Sequence, residues 1–229
     1  MLTPAEWEVL GLSLKVGIAA LLASLPLAIA AAFVLARKSF PGKTLFDALV
    51  HLPLVLPPVV VGFLLLVLFG TQGPIGSLLE PLGIVFAFRW TGAALAAAIM
   101  GFPLLVRAIR LAIEAVDPRL ELAARTLGAS RTRVFFTVTL PLAASGVVTG
   151  ALLAFARALG EFGATITFVS NIPGETQTLP LAIFSATQTP AGDAQAWRLS
   201  VLSVLLSIAA LLLSEWLARR ASPPGTRHA

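Results

Sequence analysis

Hydrophobic residues along this chain arrive in runs that are long enough to cross a bilayer. Five runs stand out, over about residues 11–36, 46–69, 91–113, 141–169 and 197–217, and each holds roughly 20 or more predominantly apolar positions. The pattern predicts an all-α polytopic membrane protein with five transmembrane helices in one transmembrane domain spanning 1–229. Pro26 is expected to kink the first run. The second contains Leu52-Pro53-Leu54-Val55-Leu56-Pro57-Pro58, whose three prolines remove three helix donors. Two readings stand for it. It is either a kinked packing helix or a broken segment that lines a translocation path, since irregular backbone at membrane depth is tolerated beside a water-filled cavity. The fourth run carries Gly146 and Gly150, a small-xxx-small face that lets another helix come close. Residues 70–90 read as a Gly/Pro-rich connection with an amphipathic stretch over 78–88. Residues 170–196 read as a polar connection with a short re-entrant or interfacial helix over 178–186, and the tail after Ser222 as disordered.

The longest stretch unsuited to lipid is 117–141. Asp117 is a good N-cap and Pro118 fits the first helical position. Leu120, Leu122, Ala123, Ala124 and Leu127 recur at helical spacing, and Gly128 supplies a residue that can close the helix. Ser130 can cap a second short helix, and Pro141 starts the next element. Helix, glycine turn, helix between two spans reads as a docking surface.

Hydrophobic residues make up 58% of the chain, charged residues 12%, and the mean hydropathy is +0.94, which excludes an ordinary soluble domain. The net charge of +5 does not point to nucleic acid, because the basic residues sit in short blocks beside apolar runs. Twelve of the sixteen Lys and Arg fall on one side: Arg37, Lys38 and Lys43; Arg107, Arg110, Arg119, Arg125, Arg131 and Arg133; Arg219, Arg220 and Arg227. Lys15, Arg89 and Arg198 fall on the other. The positive-inside rule makes the crowded side cytoplasmic, with the N-terminus outside, the C-terminus inside and the docking segment facing the cytoplasm. Residues 1–36 lack the basic start of a signal peptide. With no cysteine, disulfides, thiol catalysis and Cys-ligated metal are excluded, and isolated His51 and His228 build no metal site. Gly42-Lys43-Thr44 is not a phosphate loop, since Arg37 occupies the place of the required first glycine. No catalytic constellation is present.

Within the fourth run, Arg157 and Glu161 are four residues apart, on one helix face, with Thr165 and Thr167 beyond them. Charges at this depth need a partner. The pair is either structural, fixing the rotation of the helix, or part of a pathway in which Arg157 offers a transient site to an anion.

The spacing Ala123-Ala124, Gly128, then Val138-x-Leu140-Pro141 resembles the EAA loop of ABC-importer permeases, which reads E-A-A-x3-G-x9-I-x-L-P. Leu122 holds the place of the motif's Glu, and Glu121 lies one residue earlier, ~100° around the helix. In that family the loop is a coupling helix seated on the ATPase subunit, so the resemblance assigns Glu121, Ala123, Ala124, Gly128, Leu140 and Pro141 to ATPase coupling. Further runs resemble the molybdate permeases and their tungstate and sulfate relatives: His51 to Gly62, Arg125 to Gly128 with Arg133 to Thr137, and Phe155 to Ala164 with Asn171 to Thr176. The matches extend from Leu12 to Arg219. They imply a type I importer permease of the bacterial inner membrane, with two copies forming the pore and a periplasmic molybdate-binding protein delivering the anion. ATP and Mg would be held by a separate ATPase, with no cofactor on this chain. Pro57, Pro58, Arg157, Glu161 and Thr165 are the candidate pathway residues. Sulfate or thiosulfate is the alternative cargo, and an ATP-independent anion carrier the more distant alternative. Some relatives add an N-terminal span and a regulatory domain; here nine residues follow Arg220, and no regulatory domain is expected.

Overall fold

The computed structural model describes residues 2–221. Arg227, His228 and the tail read as disordered lie outside the described residues. Helix α1 spans Pro4–Arg37 and begins earlier than the hydrophobic run alone. Thr3-Pro4-Ala5-Glu6 forms a capping box, in which the Thr3 hydroxyl accepts from the Glu6 N–H at 3.3 Å and the Thr3 N–H donates to Glu6 Oε2 at 2.8 Å. At 34 residues the helix is about 51 Å long, more than a hydrocarbon core of ~30 Å requires. It is followed by α2 (Lys43–Val55), α3 (Pro58–Phe69), short α4 (Gly76–Leu79) with a 3-10 turn over Glu80–Leu82, and α5 (Trp90–Ala115). The exposed connection holds α6 (Pro118–Thr126), α7 (Arg131–Val134) and a π-helical turn, Phe135–Thr139. The chain continues through α8 (Leu140–Leu142), α9 (Ala144–Leu159), α10 (Gly163–Val169), α11 (Leu179–Thr187) and α12 (Asp193–Ala221).

Three helices are long and apolar enough to cross a membrane, and five spans result when two bent pairs each count as one. The stretch read as span two is such a pair, α2 and α3, bent by 112°. Leu56 and Pro57 each precede a proline, and the clash with a following proline ring drives them out of the helical region, to ψ 140° and 133°. The stretch read as span four is interrupted twice. Arg131–Leu142 and Ala144–Leu159 are bent by 69°, with the break at Ala143, two residues past Pro141. A second break at Gly160–Phe162 separates α9 from α10.

Helix α5 is the hub, with α1 and α9 on its flanks and α2 and α10 against it. Gly92, Ala93, Ala94, Ala96 and Ala97 are buried in its first half. Small side chains let backbones approach, which matters in lipid because dispersion rather than water drives helix association. Gly146 and Gly150 do the same from α9: a Cβ added at Gly150 would stand 3.0 Å from Ala108 Cβ, and one at Gly146 would collide with Ala112.

Polar ties hold the two ends of the bundle. At one, Arg198 of α12 pairs with fully buried Glu6 at 2.9 Å, Lys15 lies 3.7 Å from the Trp90 ring centroid, and Ser13 accepts from the Leu179 N–H at 2.7 Å. At the other, Arg110 bridges Asp47 and Glu114 at 3.1 and 2.8 Å, and His51 Nδ1 also lies 3.1 Å from Asp47.

Candidate functional site

The break in the second span meets the second break in the fourth. Helix α3 packs along α10, and a Cβ added at Gly163 would lie 2.7 Å from Pro58 Cβ. One added at Gly62 would lie 2.5 Å from the Ala164 carbonyl oxygen. Only glycine permits this approach, so the Leu56–Pro58 break is held against the Gly160–Phe162 break. Pro57, Val59 and Val60 stay exposed on the single chain. Broken helices paired in this way are how transporters place backbone polar groups and charges inside a bilayer.

Arg157 and Glu161 lie at this junction. Helix α9 ends at Leu159, so Glu161 sits in the break itself rather than on a continuous helix face. Its Oε2 is 2.7 Å from Arg157 Nη1, while its Oε1 accepts from the Ala164 N–H at 2.8 Å and so caps α10. The Glu161 side chain is 2% exposed and that of Arg157 is 30%. At this burial the Glu161 carboxylate depends on Arg157 and on the Ala164 N–H to balance its charge, whereas the guanidinium keeps part of its surface exposed. Thr165 is buried inside the protein, and the Thr167 hydroxyl donates back to the Gly163 carbonyl at 2.9 Å. Pro58 is half-buried against Gly163.

The second cluster is the connection between α5 and α9. Asp117 caps α6 by accepting from the Arg119 N–H at 2.9 Å, and Ser130 caps α7 by accepting from the Arg133 N–H at 3.3 Å. Gly128 turns the chain with φ +86°, a left-handed value that disfavours any side chain. Leu120, Leu122 and Leu127 are 49%, 56% and 89% exposed, an apolar display on a segment otherwise rich in charge. Ala123 is exposed and Ala124 half-buried on the same helix. Leu140 and Pro141 belong to α8, at the re-entry into the apolar bundle.

Glu121 turns away from that display. Its Oε1 accepts from Arg37 Nη2 at 2.9 Å, Arg37 Nε at 3.1 Å and the Thr139 hydroxyl at 3.0 Å. Arg37 Nη2 also donates to the Val116 carbonyl at 2.9 Å. One carboxylate thus joins α6 to the ends of α1 and α5 and to the π-helical turn. Sequence reasoning missed Arg37, Val116 and Thr139 as its partners, because they are distant in the chain. The one-residue offset of Glu121 from the motif's Glu was the available signal, since it places the carboxylate on a different side of the helix.

A charge pair with a buried carboxylate between broken helices, and a charged, capped segment with exposed leucines between two spans, fit a polytopic membrane transport protein. A family model described as "Binding-protein-dependent transport system inner membrane component" matches residues 24–223. The chain belongs to that family of multi-pass inner-membrane transport components. It is 61% identical over 220 residues to the molybdenum transport system permease protein ModB of Escherichia coli (strain K12), covering 96% of each chain. The protein of the same name from Haemophilus influenzae is 57% identical over 216 residues, covering 94% of each. Among solved structures, a chain of a bacterial alginate ABC transporter, in complex with alginate pentasaccharide-bound periplasmic protein, superposes with a TM-score of 0.76 at 16% identity. That match covers 98% of this chain and 82% of the other, and it shows the fold.

Proposed function

We propose that this chain is the permease subunit of an ATP-driven importer that carries molybdate, with tungstate as a close analogue, into the cytoplasm. The observation that carries the reading is the 61% identity to a molybdenum transport permease over almost the whole chain. The geometry supports it with two features that such a subunit needs. The exposed face of α6 with Leu120, Leu127 and the Gly128 turn suits docking on a separate ATPase, which holds ATP and Mg and performs the hydrolysis. The junction of broken helices at Arg157 suits brief contact with an oxyanion.

Two copies of the chain enclose the path, with the N-terminus periplasmic and the C-terminus cytoplasmic. A periplasmic binding protein delivers the anion. ATP binding closes the ATPase pair and draws the two docking segments together. Glu121 then transmits the movement to α1 and to the re-entry at Thr139, and the bent spans rock between inward-open and outward-open. Glu161 keeps Arg157 half-neutralised, so that an anion passes without being trapped.

The test is ATPase activity and uptake in proteoliposomes containing the chain, its ATPase and its binding protein. Stimulation by molybdate and tungstate but not sulfate is expected. Stimulation by sulfate alone would keep the mechanism and overturn the cargo. Uptake of the anion without any ATPase would overturn the importer and leave an ATP-independent carrier.

A further inference from the structure

A cavity borders the second cluster on its lipid side, beyond the Arg37–Glu121 contact. It is a groove of about 600 Å³ between the last third of α1 and the segment 131–140. Pro26, Ile29, Ala30 and Phe33 form one wall at helical spacing, and Phe136 and Leu140 stand opposite. Its floor is set by Phe33 against Phe135, with ring centroids 4.9 Å apart, and Phe135 in turn meets Phe136 at 5.0 Å. Phe136 is 60% exposed. The groove is therefore open, apolar and stiffened by aromatic contacts.

One end of the groove is different. Lys38 and Arg131 line it, and both also line an adjoining polar cavity of about 300 Å³ with Arg37, Glu121 and Arg125. Of these five side chains only Glu121 is acidic, and it is engaged by Arg37 at 2.9 Å. Among the described residues, Lys38, Arg125 and Arg131 take part in no ion pair, and all three are exposed. An apolar slot thus ends in a net positive mouth built from two elements far apart in sequence.

The dimensions identify the occupant. From Pro26 to Lys38 the wall rises about 18 Å. One leaflet of hydrocarbon is about 15 Å deep. With its Lys/Arg-rich end set at the headgroups, a groove of this length extends to about the bilayer midplane.

We propose that this groove holds one anionic phospholipid, with an acyl chain along Pro26, Ala30 and Phe136 and its phosphate between Lys38 and Arg131. Both cations are needed for headgroup selectivity. Lys38 supplies a point charge, and Arg131 a planar fork suited to two phosphate oxygens. A zwitterionic lipid fills the slot equally well but gains less at the mouth, because its own cation competes. The proposal rests on membrane placement alone, not on the cargo or on ATP coupling.

The experiment is native mass spectrometry of the delipidated, assembled transporter. It is titrated with phosphatidylglycerol, with phosphatidylcholine of matched acyl chains, and with inorganic phosphate. The intact protein should prefer phosphatidylglycerol on the order of tenfold, as two nearby cations predict. Lys38→Gln combined with Arg131→Gln should abolish the preference while leaving phosphatidylcholine binding unchanged, and Lys38→Arg should retain it. Ala30→Trp should weaken both lipids by filling the slot. An unchanged preference in the double variant would overturn the proposal, as would displacement of the lipid by inorganic phosphate, which would make the mouth a free-anion site. Disulfide formation between two copies carrying Ala30→Cys would also overturn it, because a second copy would then cover the groove.

Discussion

Arg37 and Glu121 meet at 2.9 Å although 84 residues of chain separate them. The contact fastens the segment that faces away from the bundle to the last turn of its longest helix. Their side chains are 17% and 21% exposed, so water screens the pair only in part. Thr139, which shares the same carboxylate oxygen, is 1% exposed, and its hydroxyl extends the fastening into the π-helical turn. Helix α6 is in this way tied to two elements at once.

Replacing either partner should therefore separate docking from transport. Arg37→Gln and Glu121→Gln are each expected to keep ATPase binding while lowering molybdate uptake several-fold. Their coupling in a double-mutant cycle on thermal stability should be about 1 kcal/mol. Uptake at the full rate in both variants would show that the fastening carries no motion.

At the junction of the broken helices, Arg157→Gln strands a buried carboxylate. A loss of about 3 kcal/mol is expected in detergent unfolding, the low end for such pairs because Arg157 retains some exposure. Combining it with Glu161→Gln should recover most of that stability. The recovered double variant should still import molybdate at least tenfold more slowly. Full uptake by that stable variant would make the pair structural alone.

Gly128 and Leu127 test the proposed docking. Gly128→Trp places a bulky side chain at φ +86°, which costs about 1–2 kcal/mol locally and obstructs the exposed face. Stimulation of ATPase activity by loaded binding protein should disappear. Leu127→Ser leaves the backbone unstrained and should weaken ATPase binding in a pull-down titration. Normal stimulation in Gly128→Trp would remove this segment from the coupling path.

Helix packing gives a prediction independent of transport. Gly150→Leu pushes α9 away from Ala108 and Leu105 of α5, where an added Cβ already finds atoms at 3.0 to 3.3 Å. Overpacking of this kind costs about 1–3 kcal/mol. Thermal unfolding should fall accordingly, whereas Gly11→Ala, which meets nothing within 4 Å and relieves a glycine inside helix α1, should not lower it.

What the sequence by itself determined is local. Run length and hydropathy specify a membrane protein, because lipid leaves helices few alternatives. Asp117, Ser130 and Gly128 announce their caps and turn, because a cap is a bond between residues two or three apart. Prolines 57 and 58 announce a break, because the ring acts on the residue before it. The tertiary structure alone decided what those breaks and charges touch. The 112° bend at Leu56–Pro57 and the seating of Pro58 on Gly163 depend on two helices meeting over a hundred residues apart. Periodicity placed Arg157 and Glu161 on one helix, yet the chain leaves the helix at Gly160 and Glu161 caps the next one. Glu121 found its partners on α1 and at Thr139 for the same reason. A carboxylate is satisfied by whichever donors the packed bundle brings to it, and no local pattern records that choice.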